Sequence, residues 1–140
     1  MLQRGAVNGK DALMASWPTD IIEEIATTDD LHIAPYHPDG RTTGTLTWIW
    51  SVVVDGHLYV RAWHGVRGHW YRAAIEQRAG KITAAGREHE VEFVPVDDEA
   101  LSERIDDAYR QKYADSPYLP PMVSAGPKAA TVEITSRDPH

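Results

Sequence analysis

The clearest periodic signal along the chain is alternation. Leu31-His32-Ile33-Ala34-Pro35-Tyr36 switches between apolar and polar residues and reads as a first strand, with Pro35 marking an edge or a strand end. Thr45-Leu46-Thr47-Trp48-Ile49-Trp50-Ser51-Val52-Val53-Val54 is longer and rich in β-branched and aromatic residues. It reads as one central strand. Thr45, Thr47 and Ile49 fall on one side of it, and Leu46, Trp48 and Trp50 on the other. Neither side is charged, which predicts a strand covered on both faces. The run from His57 to Trp63 follows after Asp55-Gly56. Asp-Gly between two apolar runs predicts a hairpin, because both turn positions must tolerate positive φ. Lys81 to Ala84 and Arg87 to Val96 predict a second hairpin around Ala85-Gly86, with Val91 and Phe93 inward and Glu88, Glu90 and Glu92 outward. Ala130 to Thr135 is a last strand, in which Val132 and Ile134 alternate with Glu133.

Helical spacing appears three times. Ser16-Trp17-Pro18-Thr19-Asp20 opens a short helix that ends near Thr28. Pro18 suits its first turn and Asp20 the positive end of its dipole. Ile21, Ile22 and Ile25 form its apolar face, and Trp17 is expected as a hydrophobic plug. His69 to Arg78 is a second helix. Asp97-Asp98-Glu99 opens a third, with Leu101, Ile105, Ala108 and Tyr109 as its apolar stripe and its carboxylates on a solvated face. The stretch Ser116-Pro117-Tyr118-Leu119-Pro120-Pro121-Met122 is too proline-rich for regular structure. Residues 1–15 are polar and without period, as in a flexible N-terminal arm. Residues 16–137 are expected to form one α+β domain: about six strands in a small antiparallel barrel with flanking helices.

Composition narrows the chemistry. A chain of 140 residues suits one domain and needs no staple to build a core. With no cysteine, thiol catalysis, disulfides and cysteine-ligated metals are excluded. A formal net charge of −7 argues against general nucleic-acid binding. No stretch has the apolar length of a signal core or a membrane helix, so no membrane partner is expected and a cytoplasmic location is. The charge is uneven: residues 61–72 hold three arginines and no carboxylate, while residues 97–107 hold six carboxylates and one arginine.

The basic segment carries the candidate site. A strand ends in Gly65-Val66-Arg67-Gly68 and a helix begins at His69. Glycines let backbone approach a ligand, and the first helical N–H groups lack intrahelical partners. Arg61, His64 and Arg67 stand beside those donors, so an anion, best a phosphate, is the predicted ligand. Four of the five tryptophans (Trp48, Trp50, Trp63 and Trp70) lie nearby and offer walls for a planar group. The seven histidines show no metal-ligand spacing, so no metal is expected. No Gly-x-Ser-x-Gly elbow, Walker loop or Gly-x-Gly-x-x-Gly occurs.

Thr45-Leu46-Thr47-Trp48-Ile49-Trp50, Leu58-Tyr59-Val60-Arg61, Gly65 followed by Trp70-Tyr71-Arg72-Ala73, and the late Ser116 to Met122 segment resemble the bacterial domain-of-unknown-function family DUF2255. That family is in turn distantly similar to the split barrels that bind FMN or a deazaflavin: the pyridoxamine-phosphate-oxidase-like proteins and the deazaflavin-dependent nitroreductases. Arg41, Arg61, Gly65 and Trp70-Tyr71 fall at corresponding places. The resemblance implies a split β-barrel homodimer with the cofactor at the dimer interface, transferring hydride to a small organic substrate. Arg61, His64, Gly65 and Arg67 would hold the phosphate, and Thr45 and Thr47 the ring edge. Trp48 or Trp70 would cover the ring, and His64 and Tyr71 are the proton donors by type. Relatives commonly carry serine or lysine in the phosphate loop, where this chain has Trp63-His64-Gly65. Two alternatives therefore stand beside this reading: a non-catalytic small-molecule-binding barrel, and a cofactor-free enzyme with an aromatic-lined pocket.

Overall fold

The structure is a computed structural model that describes residues 17–137; the arm expected over residues 1–15 lies outside them. In chain order the elements are α1 (Thr19–Ala26), β1 (His32–Pro35), β2 (Thr47–Trp48), β3 (Ser51–Val54), β4 (His57–Arg61), a 3-10 turn (Gly65–Arg67), α2 (His69–Gln77), β5 (Ala79–Ala84), β6 (Arg87–Pro95), α3 (Glu99–Lys112), α4 (Leu119–Met122), α5 (Ala125–Ala129) and β7 (Thr131–Ser136). Local chemistry accounts for most of these boundaries. Asp55 (φ 53°) with Gly56 (φ 81°), and Ala85 (φ 51°) with Gly86 (φ 79°), make the two tight hairpin turns. Positive φ at both positions matches the strand twist. The Asp98 carboxylate accepts from the Leu101 N–H and caps α3.

All strands join one antiparallel sheet in the order β2-β1-β5-β6-β7-β4-β3. The two edge strands, β2 and β3, are consecutive in the chain and separated only by Ile49 and Trp50. That connectivity forces curvature. Six interstrand spacings would put the edges of a flat sheet about 29 Å apart. The three Cα steps from Trp48 to Ser51 span at most about 11 Å. The sheet must therefore curl until its edges nearly meet, and the fold is an α+β, split-barrel-like half-barrel.

Two apolar layers follow from strand alternation. The inner face carries Ile33, Leu58, Val60, Ile82, Val91, Phe93, Val132 and Ile134, covered by Ile22 and Ile25 of α1 and Ala74 of α2. Burying each large aliphatic or aromatic side chain contributes about 1.5–3 kcal/mol. Trp17 plugs this layer as expected: its indole N–H donates to the Ile134 carbonyl at 2.9 Å, and its ring meets that of His89 edge-on. The outer face is covered over β3 and β4, where Val52, Val54 and Tyr59 meet Ile105 and Tyr109 of α3, then Tyr113 and Met122.

Four expectations are corrected. The run from Thr45 to Val54 is not one central strand. It breaks at Ile49-Trp50, because the Ile49 N–H bonds the Leu31 carbonyl (3.0 Å) while the Trp50 ring stacks on Tyr113 at 4.0 Å, on the far side of the closure. Thr47 and Trp48 are consequently exposed rather than covered. The proline-rich segment does hold regular structure: Pro120 and Pro121 sit in the first turn of α4, where a missing N–H costs nothing. Finally, α3 does not turn every carboxylate to solvent. Asp106 is buried on the same stripe as Ser102, Ile105 and Tyr109.

Candidate functional site

Strand alternation decides the position of Arg61. Leu58 and Val60 point inward, so Tyr59 and Arg61 must point outward, toward α3. The Arg61 side chain is 0% exposed. Its Nε donates to Thr131 Oγ1 (3.0 Å). One terminal nitrogen reaches Asp106 Oδ1 (2.5 Å) and the Met122 carbonyl (3.2 Å), and the other reaches the carbonyl (3.1 Å) and hydroxyl (3.2 Å) of Ser102. The guanidinium also lies over the Tyr109 ring, 5.4 Å from its centroid. A guanidinium has five N–H donors, and all five are engaged within the protein. Asp106 is shared with Lys128, whose Nζ lies 3.0 Å from Oδ2. Burial raises the Tyr109 phenol well above its ordinary pKa, with Arg61 opposing, so this hydroxyl stays neutral. The expected role of Arg61 as a phosphate grip is thus replaced by an internal one. It joins β4, α3, α4 and β7.

The loop after β4 keeps the other expected features. The chain turns at Gly65 (φ +69°), whose N–H bonds the Ala62 carbonyl. A Cβ at Gly65 would lie 3.3 Å from the Gly126 carbonyl oxygen, so the loop rests directly on the α5 segment. Gly68 is the N-cap of α2 and supplies no side chain to cap it. The first turn of α2 therefore has no side-chain cap. His64, Arg67 and His69 are exposed around it. Trp70 and Tyr71 are half-buried and pack against the inner core, with their rings edge-to-face at 6.3 Å.

The remaining candidates lie on the connection from β1 to β3. Arg41, Thr45, Thr47 and Trp48 are exposed. The Trp48 indole N–H donates to the Asp29 carbonyl (2.6 Å), and Thr47 Oγ1 makes only a long bond to the Thr45 carbonyl (3.4 Å). Among the described residues no hydrogen bond, ion pair or ring contact joins this group to the Gly65 loop. The register places the loop end and Trp48 apart: Ser51 opposes Val60 and Thr131 opposes Arg61 at the loop end, whereas Trp48 opposes His32, and His32 opposes Thr83 toward the β5–β6 hairpin. The start of β3, the end of β4 and the start of β7 thus share the loop end. Among the described residues, no group of three or more His, Asp or Glu is placed to hold a metal ion, and no helix is long and apolar enough to cross a membrane.

Sequence reasoning missed Ser102, Asp106, Met122, Lys128 and Thr131 as partners of Arg61, and Gly126 as the support for Gly65. One signal was available for Asp106. Positions 102, 105, 106 and 109 are spaced i, i+3, i+4 and i+7, which places Asp106 on the buried stripe of α3.

The curled antiparallel sheet, with its loop end built from β3, β4 and β7, defines a split-barrel-like protein. The chain belongs to the DUF2255 family, described as uncharacterised proteins conserved in bacteria, which it matches over residues 21–134. Its fold is similar to the crystal structure of the conserved hypothetical protein Rv2991 from Mycobacterium tuberculosis. The TM-score is 0.59 at 18% identity, over 87% of this chain and 81% of that one, a likeness of fold alone. No curated protein matches the chain.

Proposed function

We propose that this chain is a cofactor-holding split-barrel protein that binds FMN or a deazaflavin by its phosphate at the Gly65–Gly68 loop. The observation that carries the reading is the loop itself. A positive-φ glycine leads into a helix start without a side-chain cap, ringed by the exposed side chains of His64, Arg67 and His69. This donor set suits a phosphate even without Arg61: backbone N–H groups at the positive end of α2 and one permanent cation. When bound, the cofactor would supply hydride chemistry toward a small organic substrate, and the protein would supply position and electrostatics.

On this reading Arg67 anchors the phosphate, and Gly65, buried against Gly126, makes the positive-φ turn that leads the chain to the start of α2. Thr45 would offer its hydroxyl to the ring edge from the connection between β1 and β2, with Thr47 and Trp48 just beyond it in β2. His64, exposed at the start of the loop, and Tyr71, half-buried in the first turn of α2, are the candidate proton donors. A second copy of the chain would complete the enclosure as a homodimer. The second reading is a ligand-holding role without turnover. The absorption spectrum of freshly purified protein, followed by titration with FMN and a deazaflavin mononucleotide, tests the proposal. Tight binding of either cofactor, weakened at least tenfold by Arg67→Ala, is the expected result. Hydride transfer to an acceptor then separates the enzyme from the carrier. Failure of both cofactors to bind overturns the reading.

A further inference from the structure

We infer that residues 118–129 form the second wall of this site, and that Trp63 and Tyr118 together make its platform for a planar ring carrying an anionic group. The inference rests on the phosphate reading of the Gly65 loop and names the part of the site that selects the ring.

Two contacts join the late segment to the loop directly, and three more fix the segment on the fold. Gly126 supports Gly65: a Cβ there would lie 3.3 Å from the Gly126 carbonyl oxygen, a tight contact. The Met122 carbonyl accepts from Arg61, and Lys128 pairs with Asp106, so both ends of the segment are tied to the buried cluster. The Thr131 hydroxyl donates to the Lys128 carbonyl at 2.7 Å and fixes the exit into β7. The second contact with the loop is aromatic: the rings of Trp63 and Tyr118 meet edge-to-face, with centroids 5.9 Å apart and planes at 76°.

What this anchoring presents is unusual. Trp63 is 44% exposed and Tyr118 is 61% exposed, and neither belongs to an apolar layer of the fold. An edge-to-face pair leaves a ring face open to a third planar group, which would gain both stacking and apolar burial. Trp63 directly precedes His64, and Arg67 lies four residues on, so the open ring adjoins the cationic loop. That juxtaposition selects a ring and an anion on one ligand. The other tryptophans are less available: Trp70 packs against the inner core, and Trp48 is tethered to the Asp29 carbonyl.

The test compares the parent with Trp63→Ala, Tyr118→Ala and Arg67→Ala, titrated with FMN, a deazaflavin mononucleotide and inorganic phosphate. Because the two aromatic residues lie outside the core, their variants should melt as the parent does, which a thermal scan checks. Val94→Ala, exposed on β6, controls for loss of any surface apolar group. Expected are a loss of about tenfold in cofactor affinity for each aromatic variant with phosphate binding unchanged, and weakening of both by Arg67→Ala. If Arg67→Ala loses the cofactor while Trp63→Ala and Tyr118→Ala bind it as the parent does, the platform is wrong and the loop reading stands. If the parent binds phosphate but neither cofactor, the platform is also overturned. If the parent binds none of the three, the loop reading falls and takes the platform with it.

Discussion

A guanidinium taken out of water must replace every hydrogen bond it loses, and Arg61 does so with Thr131, Asp106, Met122 and Ser102. The pair with Asp106 adds little net stability by itself, because desolvation offsets its Coulomb energy. Breaking one side is different. Arg61→Ala leaves the Asp106 charge inside with only Lys128, and should cost about 3–5 kcal/mol in urea unfolding. Arg61→Met combined with Asp106→Leu should recover a good part of that loss, since no buried charge remains unpaired. If the double variant is as unstable as Arg61→Ala, the cluster is not an ion-pair device. Asp39 shows the opposite regime, at the surface. The N–H groups of Arg41 and Thr42, then the Thr42 hydroxyl, hold its carboxyl down to about 2. Its folded value lies below the ordinary 3.8, so its support of this turn is complete above that pH and is lost as pH falls through about 2. The amide resonances of Arg41 and Thr42 should titrate with a midpoint near 2; a midpoint near 4 would show that Asp39 does not hold the turn.

Strand β5 crosses the middle of the sheet next to β1, and there Gly80 opposes Pro35. A Cβ at Gly80 would fall 2.6 Å from the Ala34 carbonyl oxygen and from Pro35 Cα, and 2.9 Å from the Phe93 ring. Two of those three neighbours are backbone, so the strands themselves must separate. Gly80→Ala should therefore destabilise by at least the 1–3 kcal/mol typical of overpacking. A denaturant midpoint unchanged from the parent would mean that β1 and β5 are not this close. The free edge at β3 is managed by side chains. The Tyr113 hydroxyl receives the Ser51 N–H (3.1 Å) and donates to Asp29 Oδ1 (3.1 Å), while the Ser51 carbonyl accepts from Lys112 (2.8 Å). These contacts occupy edge groups that could otherwise recruit a foreign strand. Burial lowers the Lys112 amine and raises the Tyr113 phenol, the signature of polar groups held partly out of water at that edge.

For the molecule as a whole, the apolar surface that the two core layers leave uncovered is uneven. Leu46 and Trp48 are exposed together at the β2 edge, apart from the Trp63 and Tyr118 pair proposed to meet the ligand. The homodimer proposed above would cover the β2 edge with a second copy. Light scattering at micromolar concentration should give twice the 15.6 kDa chain mass. Leu46→Glu, which places a charge in the patch without touching either core layer, should shift the population toward monomer. A parent that is monomeric would remove the dimer from the proposal. The net charge of −7 fits this picture of a body that favours no polyanion while one basic loop takes a small anion.

The features legible in the sequence were those set by neighbours along the chain. Asp55-Gly56 and Ala85-Gly86 specify their hairpins because turn geometry depends on two residues. Asp98 specifies the start of α3 because a cap bonds within its own first turn. Val91 and Phe93 facing inward followed from alternation alone. The tertiary structure decided what depends on residues far apart. Whether Thr45 to Val54 forms one strand or two was set by sheet closure, which requires the chain to leave one edge and enter the other at Ile49-Trp50. Whether Arg61 faces a ligand or the interior was set by Asp106, 45 positions away, and Met122, 61 positions away. A guanidinium has the same chemistry in either place; only the packing of α3 and α4 over the outer face decides whether its donors meet protein or solvent.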